Sequence, residues 1–390
     1  MQYRKLGNTG MDVSVIGLGP EYLVGKPYAQ VESVVHAALD SDINIMDLFM
    51  PQPEVRKDIG KALKGRRDKM IIQGHIGCTM SNFQGQMDIT RDLTEAKKYF
   101  EALLKNLGTD YIDIGMLFYM DSEDDFNGTF DNGLADYALE LKKKGVIRAI
   151  GFSSHNPATA KRVIETGIAE MMMFSINPAF DLLPVGQSVF DLMEGKQDDH
   201  KDMLVGVDPA RMDLYRLCEK KGIGITVMKA YGGGRLLLPE HSPFSAPLTP
   251  GQCIHYALTR PAVASALIGC ISEDEVQAAV DYLNLTDEQR DYSAAVSEYQ
   301  RDFTGSCVYC NHCQPCPVGI DVAAITKFLD IARLDEANIP ETIRHHYGGL
   351  PHKAGECIAC GNCEERCPFS VKVAENMQQA ARLFEMSSHG

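Results

Sequence analysis

The 390-residue sequence has no run approaching the roughly eighteen uninterrupted apolar residues that a membrane span requires, which argues against a transmembrane protein. Its opening, MQYRKLGNTGMDV, has neither an apolar core nor a small-residue cleavage site, so it does not read as a secretory leader. Cationic surplus is lacking too: 38 Lys and Arg stand against 53 Asp and Glu, a net charge of −15. Phosphate backbones are held by clustered Lys and Arg, so nucleic acid is not the expected partner. The acidity fits either a well-solvated surface or docking to a basic redox partner protein. No internal repeat, low-complexity tract or flavin motif stands out. What remains is a soluble, cytoplasmic protein, and 45% hydrophobic residues are ample for one large domain and a smaller one.

As far as about residue 285, short β-rich runs alternate with amphipathic helical stretches. The strand candidates are Val13–Leu18, Ile43–Asp47, Lys69–Ile76, Tyr111–Phe118, Val146–Phe152, Glu170–Ile176, Gly224–Lys229 and Ala264–Gly269. Helical patterns separate them, among them Gln30–Leu39, Leu93–Leu107, Gly133–Lys144, Pro209–Lys221 and Glu273–Leu283. Such alternation predicts a parallel sheet covered by helices, and eight units in this length predict an α/β fold, the closed (β/α)₈ TIM barrel. Two connections are long: the acidic Asp121–Asn132, and Asn177–Asp208, whose Phe180, Leu182, Phe190 and Leu192 suggest a structured lid or a surface covering the next domain. Farther on the strand signal stops, and Asp321–Arg333 and Val371–Phe384 read as helices. The expected domains are therefore 1–285 and a mostly helical 286–390.

The twelve cysteines are unevenly spread. Cys78, Cys218, Cys253 and Cys270 are scattered and read as small core residues. The other eight form two runs, Cys307-Val-Tyr-Cys310-Asn-His-Cys313-Gln-Pro-Cys316-Pro317 and Cys357-Ile-Ala-Cys360-Gly-Asn-Cys363-Glu-Glu-Arg-Cys367-Pro368. Two-residue gaps let three thiolates of one loop converge on one iron–sulfur cube, while the fourth cysteine, followed by proline, turns to the other cube. This spacing assigns Cys307, Cys310, Cys313 and Cys367 to one [4Fe–4S] centre and Cys357, Cys360, Cys363 and Cys316 to a second. Zinc also takes thiolates, but it needs only four and does not require the Cys-Pro endings. The first run closes with a two-residue gap in place of the usual three. The segment resembles helical two-cluster ferredoxin-type modules.

The stretch Lys5-Leu-Gly-Asn-Thr-Gly-Met-Asp-Val-Ser-Val-Ile-Gly-Leu-Gly19 looks like the opening of an aldo-keto reductase, whose N-terminal hairpin caps the bottom of the barrel. Asn44-Ile-Met-Asp47, Tyr111-Ile-Asp-Ile, Gly145-Val-Ile-Arg-Ala-Ile-Gly-Phe-Ser153 and Val227-Met-Lys-Ala-Tyr-Gly-Gly-Gly234 continue the likeness. With the cysteine tail, the whole chain resembles the branch of that family carrying a C-terminal 4Fe–4S ferredoxin-type domain. The resemblance implies a tyrosine that protonates a carbonyl oxygen, assisted by an aspartate, a lysine and a histidine. Only Asp47 is kept; Gln52 stands for the tyrosine, His75 for the lysine and Phe118 for the histidine. Glutamine cannot serve as a proton donor of tunable pKa, so the family's usual reduction is in question.

For a nicotinamide cofactor, the resemblance points to Ser153, with Ser154 in the place of its asparagine neighbour, and to the loop Gly232, Gly233 and Gly234 near a pyrophosphate. Asn177 and Lys229, at the ends of the sixth and seventh strands, join them as cofactor-binding candidates. Ser272-Glu-Asp-Glu after the eighth strand has no cation for a 2′-phosphate, which favours NADH over NADPH; the same residues also make an ordinary acidic helix start. The replacement catalytic candidates are Asp47, His75, Tyr119 and His155, all at or just past strand ends on the face where barrels carry chemistry. Two functions follow. One is an iron–sulfur oxidoreductase acting on a small organic substrate in the barrel mouth; the other is a catalytically decayed barrel serving as an electron carrier or binding protein. A non-redox lyase or isomerase built on His75 is a third.

Overall fold

The structure, a computed structural model, describes residues 1–81, 86–183, 189, 209–297 and 304–385. Contacts group the chain into two compact units. The first is Met1–Ser175 with Ile223–Ala230 and Val263–Leu283; the second is Ile176–Gly222 with Tyr231–Ala262 and Asn284–Gly390.

The first unit contains the expected barrel. In chain order its strands include the hairpin β1 (Tyr3–Lys5) and β2 (Asp12–Ser14), then β3 (Ile16–Gly19), β4 (Ile45–Leu48) and β5 (Ile71–Ile76). A second hairpin, β6 (Cys78–Met80) and β7 (Met87–Ile89), precedes β8 (Ile112–Leu117), β9 (Ile147–Ser154), β10 (Met171–Ser175), β11 (Gly224–Met228) and β12 (Val263–Gly269). The ring closes in the order β3-β4-β5-β8-β9-β10-β11-β12, every neighbour parallel. Strands buried on both faces read as near-continuous apolar runs, and β8 (IDIGML) and β10 (MMMFS) are buried at every position. The antiparallel hairpin β1–β2 sends Leu6, Met11 and Val13 into one cluster with Ile45, Ile114, Met116, Met171 and Leu267. The barrel is plugged at that end by its own N-terminus.

Two elements depart from the sequence reading. The acidic connection 121–132 is mostly helix, Glu123–Asp131. Its start is fixed by a capping box in which Ser122 accepts from the Asp125 amide and the Asp125 side chain accepts from the Ser122 amide. The hairpin β6–β7 follows directly on β5, where no further strand was expected. Elsewhere boundaries agree closely; Leu93–Leu107 begins on an Asp92 cap and stops at Gly108 in the left-handed region.

In the second unit, helices Pro209–Lys221 and Pro250–Thr259 accompany the tail helices Val322–Ala332, Glu341–Gly348 and Val373–Phe384, the first and last of which pack together. Of the expected lid over 177–208, residues 184–188 and 190–208 lie outside the described residues; its beginning is the short helix Pro178–Asp181. No described helix is long and apolar enough to cross a membrane.

Gly224, the first residue of β11, has room for no side chain: a Cβ there would meet the Gly7 nitrogen at 2.5 Å and the Leu6 carbonyl carbon at 2.6 Å, both backbone atoms of the plug. Gly224→Ala should therefore lift the N-terminal hairpin and cost about 2 kcal/mol, read as a lower urea midpoint with unchanged slope.

Candidate functional site

Five strand ends of the first unit carry ionisable or polar groups on the C-terminal rim of the barrel. Asp47 in β4 is paired in register with Gln73 in β5, and Gln73 and His75, two residues apart, share a face. The Asp47 carboxylate accepts from His75 Nε2 at 2.7 Å and from Gln73 Nε2 at 2.9 Å, while Gln73 Oε1 accepts from Thr226 Oγ1 at 2.9 Å. A carboxylate only accepts, so His75 Nε2 carries a proton and donates it to this contact. Nδ1 is buried and has no hydrogen-bond partner. Phe118 and Phe49 flank the imidazole edge-on, at ring distances of 5.1 and 6.2 Å. The result is an imidazole in an aromatic wall, braced by a buried acid.

A second constellation lies on the same rim. His155, just past β9, has Nδ1 2.8 Å from Asp121 Oδ2, and its amide donates to Asp121 Oδ1. Its Nε2 is 2.9 Å from the Lys229 ammonium nitrogen. Asp121 thus orients the imidazole, and the imidazole accepts from the amine. Burial works to raise the Asp121 pKa, but hydrogen bonds from the His155 side chain and neighbouring groups outweigh it and hold the carboxyl below its usual range. Burial lowers the Lys229 pKa, with Glu21 and Asp121 opposing. Burial raises the Glu21 pKa, Lys229 opposing and Asp47 adding, so Glu21 electrostatically joins the two groups. Tyr119 and Lys229 both have φ of 58°, a left-handed backbone that bulky residues adopt only where the surroundings enforce it. Tyr119 stacks obliquely on His155, ring centres 5.5 Å apart.

Ser153 and Ser154 are buried and tie down the loop after β8. The Ser153 hydroxyl accepts from the Tyr119 amide at 2.9 Å, and the Ser154 hydroxyl donates to the Met120 carbonyl at 2.7 Å. The catalytic candidates Asp47, His75, Tyr119 and His155 therefore gather on one rim together with Ser153, Ser154 and Lys229. Gln52 sits immediately before helix Pro53–Ala62. Reasoning from sequence missed Gln73 and Asp121 as partners. Alternation in β5 could have flagged Gln73, a polar residue on the inward face with His75; nothing local marks Asp121, which meets His155 across 34 residues.

The remaining cofactor candidates belong to the second unit. Gly232, Gly233 and Gly234 all have positive φ, 58°, 67° and 87°. With Asn177, Phe180, Arg235 and His241, Gly232 lines a small pocket. Asn177 caps the helix Pro178–Asp181, accepting from the Phe180 amide at 2.9 Å.

The two cysteine loops share one backbone. The second and fourth residues after the leading cysteine are left-handed in both: Tyr309 and Asn311 at 61° and 64°, Ala359 and Gly361 at 51° and 81°. Alternation of this kind turns successive amides toward a common point and makes an anion-binding concavity; the Tyr309 amide donates to Cys307 Sγ at 3.4 Å. Cys307, Cys310, Cys313 and Cys367 line one small cavity. Cys316, Cys357, Cys360 and Cys363, with Cys313 at the edge, line another. Burial pushes the Cys310 thiol up to about 12, with Asp291 and Cys367 adding, and it pushes Cys307 well up, with Cys310 and Cys313 adding. Among the described residues, no three His, Cys, Asp or Glu side chains are grouped as a single metal ion would need. Cys78, Cys218, Cys253 and Cys270 are buried, as expected of core residues.

Residues 16–197 match the model of the Aldo/keto reductase family. Among curated relatives, "Uncharacterized oxidoreductase YqkF" of Bacillus subtilis is 26% identical over 307 residues, 74% of this chain and 94% of that protein. "Aldo-keto reductase YhdN" of the same organism is 29% identical over 196 residues, 47% of this chain and 54% of its own length. Among solved structures, the holo form of aldo-keto reductase AKR11C1 from Bacillus halodurans superposes with a TM-score of 0.57 at 24% identity, covering 74% of this chain and 94% of that one, a likeness of fold. The ring of eight parallel strands and its N-terminal plug give this chain the barrel fold of those structures, and residues 16–197 are similar to the Aldo/keto reductase family.

Proposed function

We propose that the protein is an iron–sulfur oxidoreductase that acts on a small organic substrate at the mouth of the barrel, with 1–285 as the catalytic domain and 286–390 as a ferredoxin-type electron-transfer domain. The observation that carries the reading is the division of the eight tail cysteines between two cavities, in the sets that the sequence spacing pairs, with Cys367 beside the first loop and Cys316 beside the second. The donor set fits two [4Fe–4S] clusters. Thiols crowded together in an apolar interior resist ionisation, and a cationic iron core is what makes their thiolate form favourable. A lone zinc would draw four sulfurs to about 2.3 Å from one point; these are spread around two cavities. Such clusters, when bound, supply one-electron transfer, and a redox partner protein would exchange electrons with them.

The pocket lined by Asn177, Gly232 and Arg235 offers a guanidinium side chain to a phosphate of NADH or NADPH. Reduction of a carbonyl consumes two electrons and two protons, and the barrel's own residues supply the proton chemistry. Lys229, its ammonium hydrogen-bonded to His155, is the group able to protonate a developing alkoxide in place of the family's tyrosine. His75, its ring steadied by Asp47, presents Nδ1 as a hydrogen-bonding group for the bound substrate. The buried, partnered state of both acids favours a working site over a decayed one, because an unused rim has no reason to keep costly buried charges.

Anaerobically purified protein should hold iron and acid-labile sulfide for two clusters. Cys310→Ala and Cys367→Ala should remove the same centre, and Cys316→Ala the other, each lowering iron by about half. Loss of the same EPR signal from Cys316→Ala and Cys310→Ala would refute the crossed pairing.

Lys229→Met should lower turnover of an aldehyde and ketone panel, assayed with NADH, with NADPH and with dithionite-reduced protein, by about 100-fold. The lysine must be protonated to act as the acid, so wild-type activity should fall as pH rises through its pKa. Burial puts that limb below the ordinary lysine value of 10.5. Turnover that survives Lys229→Met would eliminate the lysine as proton donor.

A further inference from the structure

Arg260, at the end of helix Pro250–Thr259, is 2% exposed. Its Nη2 donates to the Val308 carbonyl at 2.6 Å, to the Tyr292 hydroxyl at 2.8 Å and to Thr259 Oγ1 at 3.1 Å, and its Nε, also buried, has no partner. The guanidinium faces the rings of Tyr256 and Tyr309, 4.2 and 5.2 Å from their centres. Burial opposes its charge, but the surrounding phenol oxygens and Asp181 outweigh that, and an arginine stays protonated in any case. No described carboxylate reaches it as an ion-pair partner. The acid on its side, Asp181, is already taken: one oxygen accepts from Arg211 at 2.8 Å and from Tyr215 at 2.7 Å, the other from Tyr256 at 2.8 Å. Asp330 accepts instead from Tyr309 at 2.9 Å.

A buried guanidinium without an anion is among the least favourable arrangements a protein interior can hold. This one is fastened to the cysteine loop. Val308 lies between Cys307 and Cys310, and its carbonyl takes two short hydrogen bonds, from Arg260 and from Tyr292, both at 2.6 Å. The loop's thiols face the first cavity, where Cys310 is 7% exposed. On the second loop Cys360 is exposed and Ile358 is 62% exposed.

We propose that Arg260 is the buried counter-cation of the centre held by Cys307, Cys310, Cys313 and Cys367, and that it sets that centre's reduction potential above the value the same ligands would give without it. The inference rests on the cluster reading given above. A cube ligated by four thiolates is net anionic and gains one further negative charge on reduction. A fixed positive charge in a dry interior stabilises the reduced form more than the oxidised one. The electron enters the cluster and no bond is made or broken at Arg260. Tyr292 and Thr259 are positioning residues that hold the guanidinium against the loop.

The test uses full-length, cluster-loaded protein and an EPR-monitored redox titration of both centres. Iron and sulfide are measured first. Arg260→Gln keeps a donor for the Val308 carbonyl and removes the charge; Arg260→Lys keeps the charge. The expected result is a lower midpoint potential in Arg260→Gln for one centre, the one that Cys310→Ala abolishes, with the other centre unmoved and Arg260→Lys close to wild type. Unchanged potentials at full iron occupancy overturn the assignment, as does an equal fall at both centres or an equal fall in Arg260→Lys. Should Arg260→Gln fail to fold, the wild-type protein decides by ionic strength. A buried counter-charge leaves the inner centre's potential nearly independent of salt, and a salt response there as large as at the outer centre overturns the proposal. Wild-type protein without iron and sulfide would instead remove the cluster reading itself.

Discussion

A polar atom withdrawn from water must find a partner, and this constraint shapes the molecule more than any other. On the barrel rim it ties Asp47 to both Gln73 and His75, and draws Asp121, His155 and Lys229 into a chain. In the second unit it leaves Asp181 saturated by three donors. The unmet demands are as informative as the met ones. His75 Nδ1 and Arg260 Nε are the loose ends of otherwise completed networks, one on the barrel rim and the other beside a cysteine loop.

The barrel was legible because parallel strands buried on both faces are written as apolar runs, and helices with ordinary caps separate them. Where order comes from polar residues the periodicity is silent. The helix Glu123–Asp131 is set by a Ser122–Asp125 capping box and buries little beyond Thr129, so its sequence reads as an acidic loop. The placing of the cysteines was legible in part for the opposite reason: spacing within each run is local, and each run forms one loop of matching backbone. Side-chain partners from distant strands were not legible. Gln73 finds Thr226, and Asp121 finds His155, only once the ring is closed and its register fixed.

The rim also shows which groups stand where the family likeness would place the usual acid and its helpers. The lysine expected at the end of β5 is His75, but a lysine does reach the mouth from beyond β11, next to a histidine from beyond β9. A lysine and a histidine are thus present from other strands, beside the Asp47 kept on β4. Ser153 and Ser154, which the family likeness assigns to a nicotinamide, anchor the segment 119–121 through the Tyr119 amide and the Met120 carbonyl. Holding that segment aligns Asp121 with His155, so these hydroxyls bear on the acid–base geometry whatever else they touch.

The unequal shielding of the two cysteine cavities has a practical corollary. Cys360 and its neighbour Ile358 stand in solvent, whereas Cys310 is enclosed. Dioxygen and peroxide would reach the outward loop first, so its thiols would be oxidised before those of the enclosed loop. Protein handled in air would then pass through a form with the outward loop altered and the enclosed one intact.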